Sequence, residues 1–268
     1  MEDSWKTGFV RSGAVLLEYK MQVRTGKPWL LFFHGYGQDF RAFQPVYEAL
    51  AGDFSFLSLH LPRHGESRLE TDEVLSKEEW ALCLEKMLNQ LETGPVKAIA
   101  FSMGAKFLLA AAEKKPELFY ELILLAPDGL VMNPWYRLAT MSAAGRVFLK
   151  SSLGLFPVFR RIIGLLSAVG LVRPALLRFA LSELGTTEGR KRVLNVWLKF
   201  RKLWPDQEKL KLKCLENNIL IFVYLGRFDG ILPVSRYIGF RKKNAWMNWE
   251  IMNTGHTGLI EEFARHGL

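Results

Sequence analysis

A chain of 268 residues, 49% hydrophobic and 24% charged, can bury a full α/β core and is neither disordered nor fibrous in composition. The formal net charge of +9 is uneven: residues 130–213 carry sixteen Lys/Arg and four Asp/Glu, the remainder twenty and twenty-three. Cys83 and Cys214 offer neither a metal-ligand spacing nor a disulfide framework, and the polar start Met1–Lys6 lacks an apolar signal region, so the expected setting is the reducing cytoplasm.

In chain order, residues 8–23 predict a hairpin turning at Arg11-Ser12-Gly13. Trp29–Phe33 is a continuous apolar run ending at His34-Gly35, as a strand buried on both faces requires. Arg41–Leu50 has helical spacing with Asp39 placed to cap it, and Phe54–Leu59 is the next strand. Ser76 followed three residues later by Glu79 forms a capping box for a helix over 76–91. Val96–Phe101 is a strand, and a helix begins near Met103. Leu122–Ala126 is a short apolar run that stops at Pro127-Asp128-Gly129.

From Leu130 to about Glu216 no strand signal occurs, and Asn133-Pro134 opens a series of helical stretches. Such a length is an insertion rather than a loop. Within it, the apolar stretch 153–181 is broken by four arginines and two prolines. Its longest clean run, 162–172, is about half of what a membrane span needs and predicts a helix at a cleft or an interface. The α/β pattern resumes with a strand over 219–225, a helix over 234–242, a strand over 246–251 and a helix from Leu259 to the end. Strands alternating with helices predict a mainly parallel sheet covered on both faces. The expected domains are an α/β core, 1–129 with 217–268, and a helical cap, 130–216.

The chemistry centres on Ala100-Phe101-Ser102-Met103-Gly104, between a strand and a helix. Small residues two positions either side of the serine permit a sharp reversal that presents its hydroxyl beside a helix N-terminus. A hydroxyl needs a base, and the base needs an acid to hold its tautomer. His256, in the glycine-flanked loop 253–258, follows the last predicted strand. Asp229 follows the strand before it and is the expected acid, with Asp128 as its rival. The expected oxyanion donors are the N–H groups of Met103 and of Tyr36 in His34-Gly35-Tyr36-Gly37-Gln38. His34 and His64 are expected to shape their loops rather than act as bases.

Taken together, His34-Gly35-Tyr36-Gly37, Pro62-Arg63-His64-Gly65-Glu66-Ser67, Ala100–Gly104, Gly226-Arg227-Phe228-Asp229 and Gly255-His256 resemble the α/β-hydrolase superfamily from about Thr7 to the C-terminus. The resemblance implies an eight-stranded, mostly parallel sheet with a helical cap inserted after the sixth strand. It is nearest to small capped carboxylesterases and carbon–carbon bond hydrolases, including methyl-esterases of carrier-bound acyl chains. Members often carry Asp where His60 stands and Gly where Arg63 stands, two changes expected to narrow the site or add positive charge. A serine at the elbow sets the chain apart from haloalkane dehalogenases and epoxide hydrolases, which need Asp there.

The expected activity is therefore a serine hydrolase of carboxylic esters or thioesters acting through Ser102, His256 and Asp229, with no cofactor and no metal. The alternatives are a carbon–carbon bond hydrolase or lyase using the same residues, or a silent binding protein on the same fold. The expected partners are a small acyl substrate and, at the basic segment, an acidic carrier protein or anionic lipid. Nucleic acid is not expected, because the basic residues form none of its binding motifs. The cap aromatics Phe148, Phe156, Phe159, Trp197 and Trp204 are expected in the cap core more than in a pocket lining.

Overall fold

The computed structural model describes residues 4–154, 160–161, 164–165, 167–168, 170 and 174–267. They divide into two compact units, one formed by the chain up to Val131 together with Leu203 onward, the other by Met132–Lys202.

The first unit is built on one sheet. Its strands are β1 (Lys6–Ser12), β2 (Val15–Gln22), β3 (Trp29–Phe33), β4 (Ser55–Leu59), β5 (Arg68–Leu69), β6 (Val96–Phe101), β7 (Phe119–Leu125), β8 (Leu220–Gly226) and β9 (Asn248–Met252). The order across the sheet is β1-β2-β4-β3-β6-β7-β8-β9, with the two-residue β5 paired to β2. β2 runs antiparallel to β1 and β4, and every pairing from β4 to β9 is parallel. The main path thus has the eight strands read from the sequence.

The apolar runs are continuous because both faces are covered. Leu30 and Phe32, Ile99 and Phe101, Ile123 and Leu125 point to one face, against Val46 and Tyr47 of α1 (Gln44–Ala49) and Ile260 and Phe263 of α10 (Leu259–His266). The alternate positions face α2 (Lys77–Gln90) and α3 (Gly104–Lys114), where the Trp80 ring meets Phe33 at 6.4 Å and Phe107 at 5.2 Å. Ser76 and Glu79 form both halves of the capping box that starts α2.

The second unit contains α4 (Pro134–Met141), α5 (Ala143–Gly154), α6 (Pro174–Leu184) and α7 (Thr187–Lys199). α8 (Gln207–Glu216), which the sequence reading grouped with the insertion, belongs to the first unit and packs on α3. Its anchor is the buried Glu113 of α3, whose carboxylate accepts the Asp206 backbone N–H at 2.8 Å and both ends of a 2.6 Å pair with Lys77. The predicted helix over 234–242 is a 3₁₀ turn, Val234–Arg236, followed by α9 (Ile238–Lys243). Most of the apolar run 162–172, and Phe156 and Phe159, lie outside the described residues. Among the described residues no helix is long and apolar enough to cross a membrane.

Candidate active site

β6 ends at Phe101, and Ser102 follows in the left-handed region with φ 50°. A non-glycine residue pays on the order of 1 kcal/mol for that conformation, so the surroundings must hold it. They do so from β7 and the turn after it: the Ser102 N–H donates to Leu125 O at 2.9 Å, and Ser102 O accepts the Asp128 N–H at 2.9 Å. Met103 is the N-cap of α3. Gly104 has no room for a side chain, since a Cβ there would lie 2.2 Å from the Phe33 carbonyl oxygen. The turn, its helix and the end of β3 are thereby locked together.

The loop after β3 lies against the same place. A Cβ on Gly35 would meet the Phe101 ring at 2.9 Å, and the Gly35 N–H donates to Gln38 Oε1 at 2.9 Å. Two histidines clasp this loop to the one after β4. His34, fully buried, accepts the Leu61 N–H on Nε2 at 3.2 Å and donates from Nδ1 to Gly35 O at 2.7 Å. His64, also buried, accepts the Gly37 N–H on Nε2 at 3.0 Å, and the two rings meet edge-on at 4.9 Å. The Tyr36 ring stands against His64 at 6.1 Å. Burial, with the His64 ring beside it, pulls the His34 pKa down to about 3, so that ring stays a neutral acceptor.

At the other strand ends, His256 Nδ1 lies 2.6 Å from Asp229 Oδ2. Asp229 is buried, and its Oδ1 accepts the N–H groups of Ile231 at 2.8 Å and Leu232 at 2.7 Å. Burial pushes this carboxyl up, but the His256 hydrogen bond and charge and the two backbone donors together hold it below the ordinary carboxylate range. With Nδ1–H committed to the carboxylate, a neutral His256 carries its lone pair on Nε2. Its ring packs on Phe101 at 4.9 Å, next to Ser102 along the chain. The loops that carry the pair are tied to each other: Phe228 N–H donates to Thr254 O at 3.0 Å, and a Cβ on Gly226 would sit 2.8 Å from that same oxygen. Asp128 is engaged differently, its carboxylate facing Arg236 Nη2 at 3.8 Å.

His60 stands apart from this chemistry. It is buried beneath Gly65, where a Cβ would meet its Nδ1 at 2.1 Å, and it pairs with Glu18 Oε2 at 2.7 Å. The same Glu18 oxygen accepts the Glu66 N–H at 2.7 Å. The histidine thus organises the β4 loop from below. The role of Glu18, one carboxylate on an otherwise largely apolar strand, depends on a partner far along the chain and had no local signal, and Gln38 was legible only as part of its loop. The paired His-Gly steps at 34–35 and 64–65 were the visible trace of the clasp.

A largely parallel sheet, a serine at positive φ on the strand-to-helix turn and an Asp–His pair beyond the last two strands are arranged as in the α/β-hydrolase fold. The model of the family described as the alpha/beta hydrolase fold matches residues 28–149. The chain is 23% identical over 245 residues to the uncharacterized hydrolase YugF of Bacillus subtilis, covering 90% of this chain and 87% of that protein. It is similar in structure to a thermophilic esterase from Thermogutta terrifontis, with a TM-score of 0.66, 20% identity, and 97% and 94% of the two chains covered. The thioesterase domain from the curacin biosynthetic pathway superposes with a TM-score of 0.58 at 16% identity, covering 97% and 96%. The chain has the α/β-hydrolase fold, and the stretch that matches the family model carries the serine turn.

Proposed function

We propose that the protein is a serine hydrolase of carboxylic esters or thioesters. Ser102 Oγ attacks the acyl carbon while His256 Nε2 takes its proton, and the carbonyl becomes a tetrahedral oxyanion held by the N–H groups of Met103 and Tyr36. The intermediate collapses, His256 returns the proton to the departing alcohol or thiol, and the acyl group remains on Ser102. Water, deprotonated by His256, attacks that ester and frees the acid, restoring the hydroxyl. Asp229 holds the imidazole tautomer and offsets its transient charge.

The observation that carries this reading is the 2.6 Å His256–Asp229 hydrogen bond on a ring packed against the residue before a strained serine. The similarity to an esterase and a thioesterase domain supports acyl transfer to water. The positive charge of the helical unit, residues 132–202, suits an acyl chain linked to an anionic group.

Turnover of a small activated ester tests the mechanism. Ser102→Ala should lower kcat by about 10⁴-fold or more, and a fluorophosphonate probe should label the wild type and not the variant. Full turnover by Ser102→Ala would overturn it.

A further inference from the structure

The helical hairpin α4–α5 is turned inside out. Leu138 is 60% exposed, Val147 66% and Phe148 67%, with Met141 also exposed. These positions follow helical spacing on each arm, 138 and 141 on α4, then 144, 147 and 148 on α5, so each helix turns an apolar stripe outward. Thr140 and Leu149 are buried, so the opposite faces are the packed ones. This was not the expectation for Phe148, which the sequence suggested as cap core.

The stripes are held in shape. Ser142 Oγ donates to Leu138 O at 3.0 Å and accepts the Gly145 N–H at 2.9 Å, and Arg146 Nη1 donates to Met141 O at 3.0 Å across the corner. Gly145 lets α5 approach α4 so closely that a Cβ would lie 2.0 Å from Leu138 O. At the other end of α4, the Tyr136 ring rests on Trp197 of α7 at 5.4 Å.

The charge around the stripes is one-signed. Residues 129–182 contain seven Arg/Lys and no Asp or Glu, and the whole unit 132–202 carries thirteen basic residues against Glu183 and Glu188. Arg137 and Lys150 are exposed on the same two helices as the stripes. Large apolar side chains left open to water on two packed helices mark an interaction surface. Large aliphatic and aromatic side chains with basic neighbours and no acids match an anionic lipid surface, where the apolar groups enter the acyl boundary and the cations meet headgroups. An acidic protein would satisfy the bases but would meet Leu138, Val147 and Phe148 only through an apolar patch of its own, whereas a lipid layer offers charge and apolar depth at every point.

We infer that the outward face of α4–α5 docks the protein on an anionic lipid surface. The face brings the proposed hydrolase to an interface where acyl esters are concentrated. The inference rests on that activity for its purpose and not for the docking itself.

Flotation of the full chain with lipid vesicles tests it. The wild type should float with phosphatidylcholine vesicles containing roughly a third phosphatidylglycerol and stay below with phosphatidylcholine alone. Leu138→Ser with Phe148→Ser should lower partitioning about tenfold while leaving turnover of a short soluble ester unchanged, which shows that the variant is folded. Ser102→Ala should float like the wild type, so that loss of hydrolysis and loss of docking read separately. The inference is overturned if the wild type ignores anionic vesicles, if the double variant partitions equally, or if the protein binds a soluble polyanion but no vesicle.

Discussion

Asp229 and His34 carry opposite burdens within one site. Asp229 is buried as an anion and needs its imidazole and two N–H donors; His34 is buried as a neutral base and needs to remain so. The difference has a pH signature. Below the ordinary histidine value of 6.5 an unfolded His34 takes up a proton that the folded ring refuses down to about 3. The unfolded state then binds more protons, so stability falls as pH falls across that window, by about 1.4 kcal/mol per pH unit at full development. Asp229, with its depressed carboxyl, adds stability above the ordinary carboxylate range that is lost only at more acid pH, as that carboxyl itself protonates. Urea melts between pH 7 and 4.5 should therefore show His34→Gln, which keeps an acceptor for Leu61, losing less stability on acidification than the wild type. Parallel curves would mean that His34 is already charged in the folded protein.

At the scale of elements, the turn after β6 depends on helix α3 starting in contact with β3. Gly104→Ala forces a methyl to within 2.2 Å of the Phe33 carbonyl and should cost about 3 kcal/mol, seen as a lower midpoint in chemical denaturation and slower fluorophosphonate labelling of Ser102. Gly239 in α9 is the matched control. A Cβ there meets nothing within 4 Å, so Gly239→Ala should raise stability by about 0.5–1 kcal/mol through helix propensity alone. Strands and the α2 capping box were legible because continuous apolar runs and a Ser-x-x-Glu step are local signals. The split of 234–242 into a 3₁₀ turn and α9 was not, because Tyr237 is held by a remote partner, its hydroxyl donating to Pro127 O at 2.7 Å. Nor was the return of α8 to the core, decided by Glu113 ninety-three residues before Asp206.

Across the whole molecule the charge divides with the structure. The helical unit carries a net charge of +11, while the sheet-bearing unit has slightly more acidic than basic residues. Such a field raises encounter with anions when the Debye length is long, about 30 Å at 0.01 M salt, and fades when it is short, about 3 Å at 1 M. The kcat/KM for an acyl ester with an anionic tail should fall about tenfold over that range, while that for a neutral short ester stays level. Equal responses would leave the charge without a part in substrate choice. The two cysteines should be silent toward thiol reagents in the native state, since burial raises both thiols to about 12.

The chain's text by itself determined the alternation of strands and helices, the serine turn, the order of serine, aspartate and histidine, and the concentration of positive charge, because each is written in neighbouring residues. Folding decided between Asp229, the acid expected from chain order, and its rival Asp128, and it alone decided how His34 and His64 clasp the two loops and that Leu138, Val147 and Phe148 face outward. Those outcomes join residues tens of positions apart, or choose one face of a helix over another, and no local pattern encodes which partner a long-range contact brings.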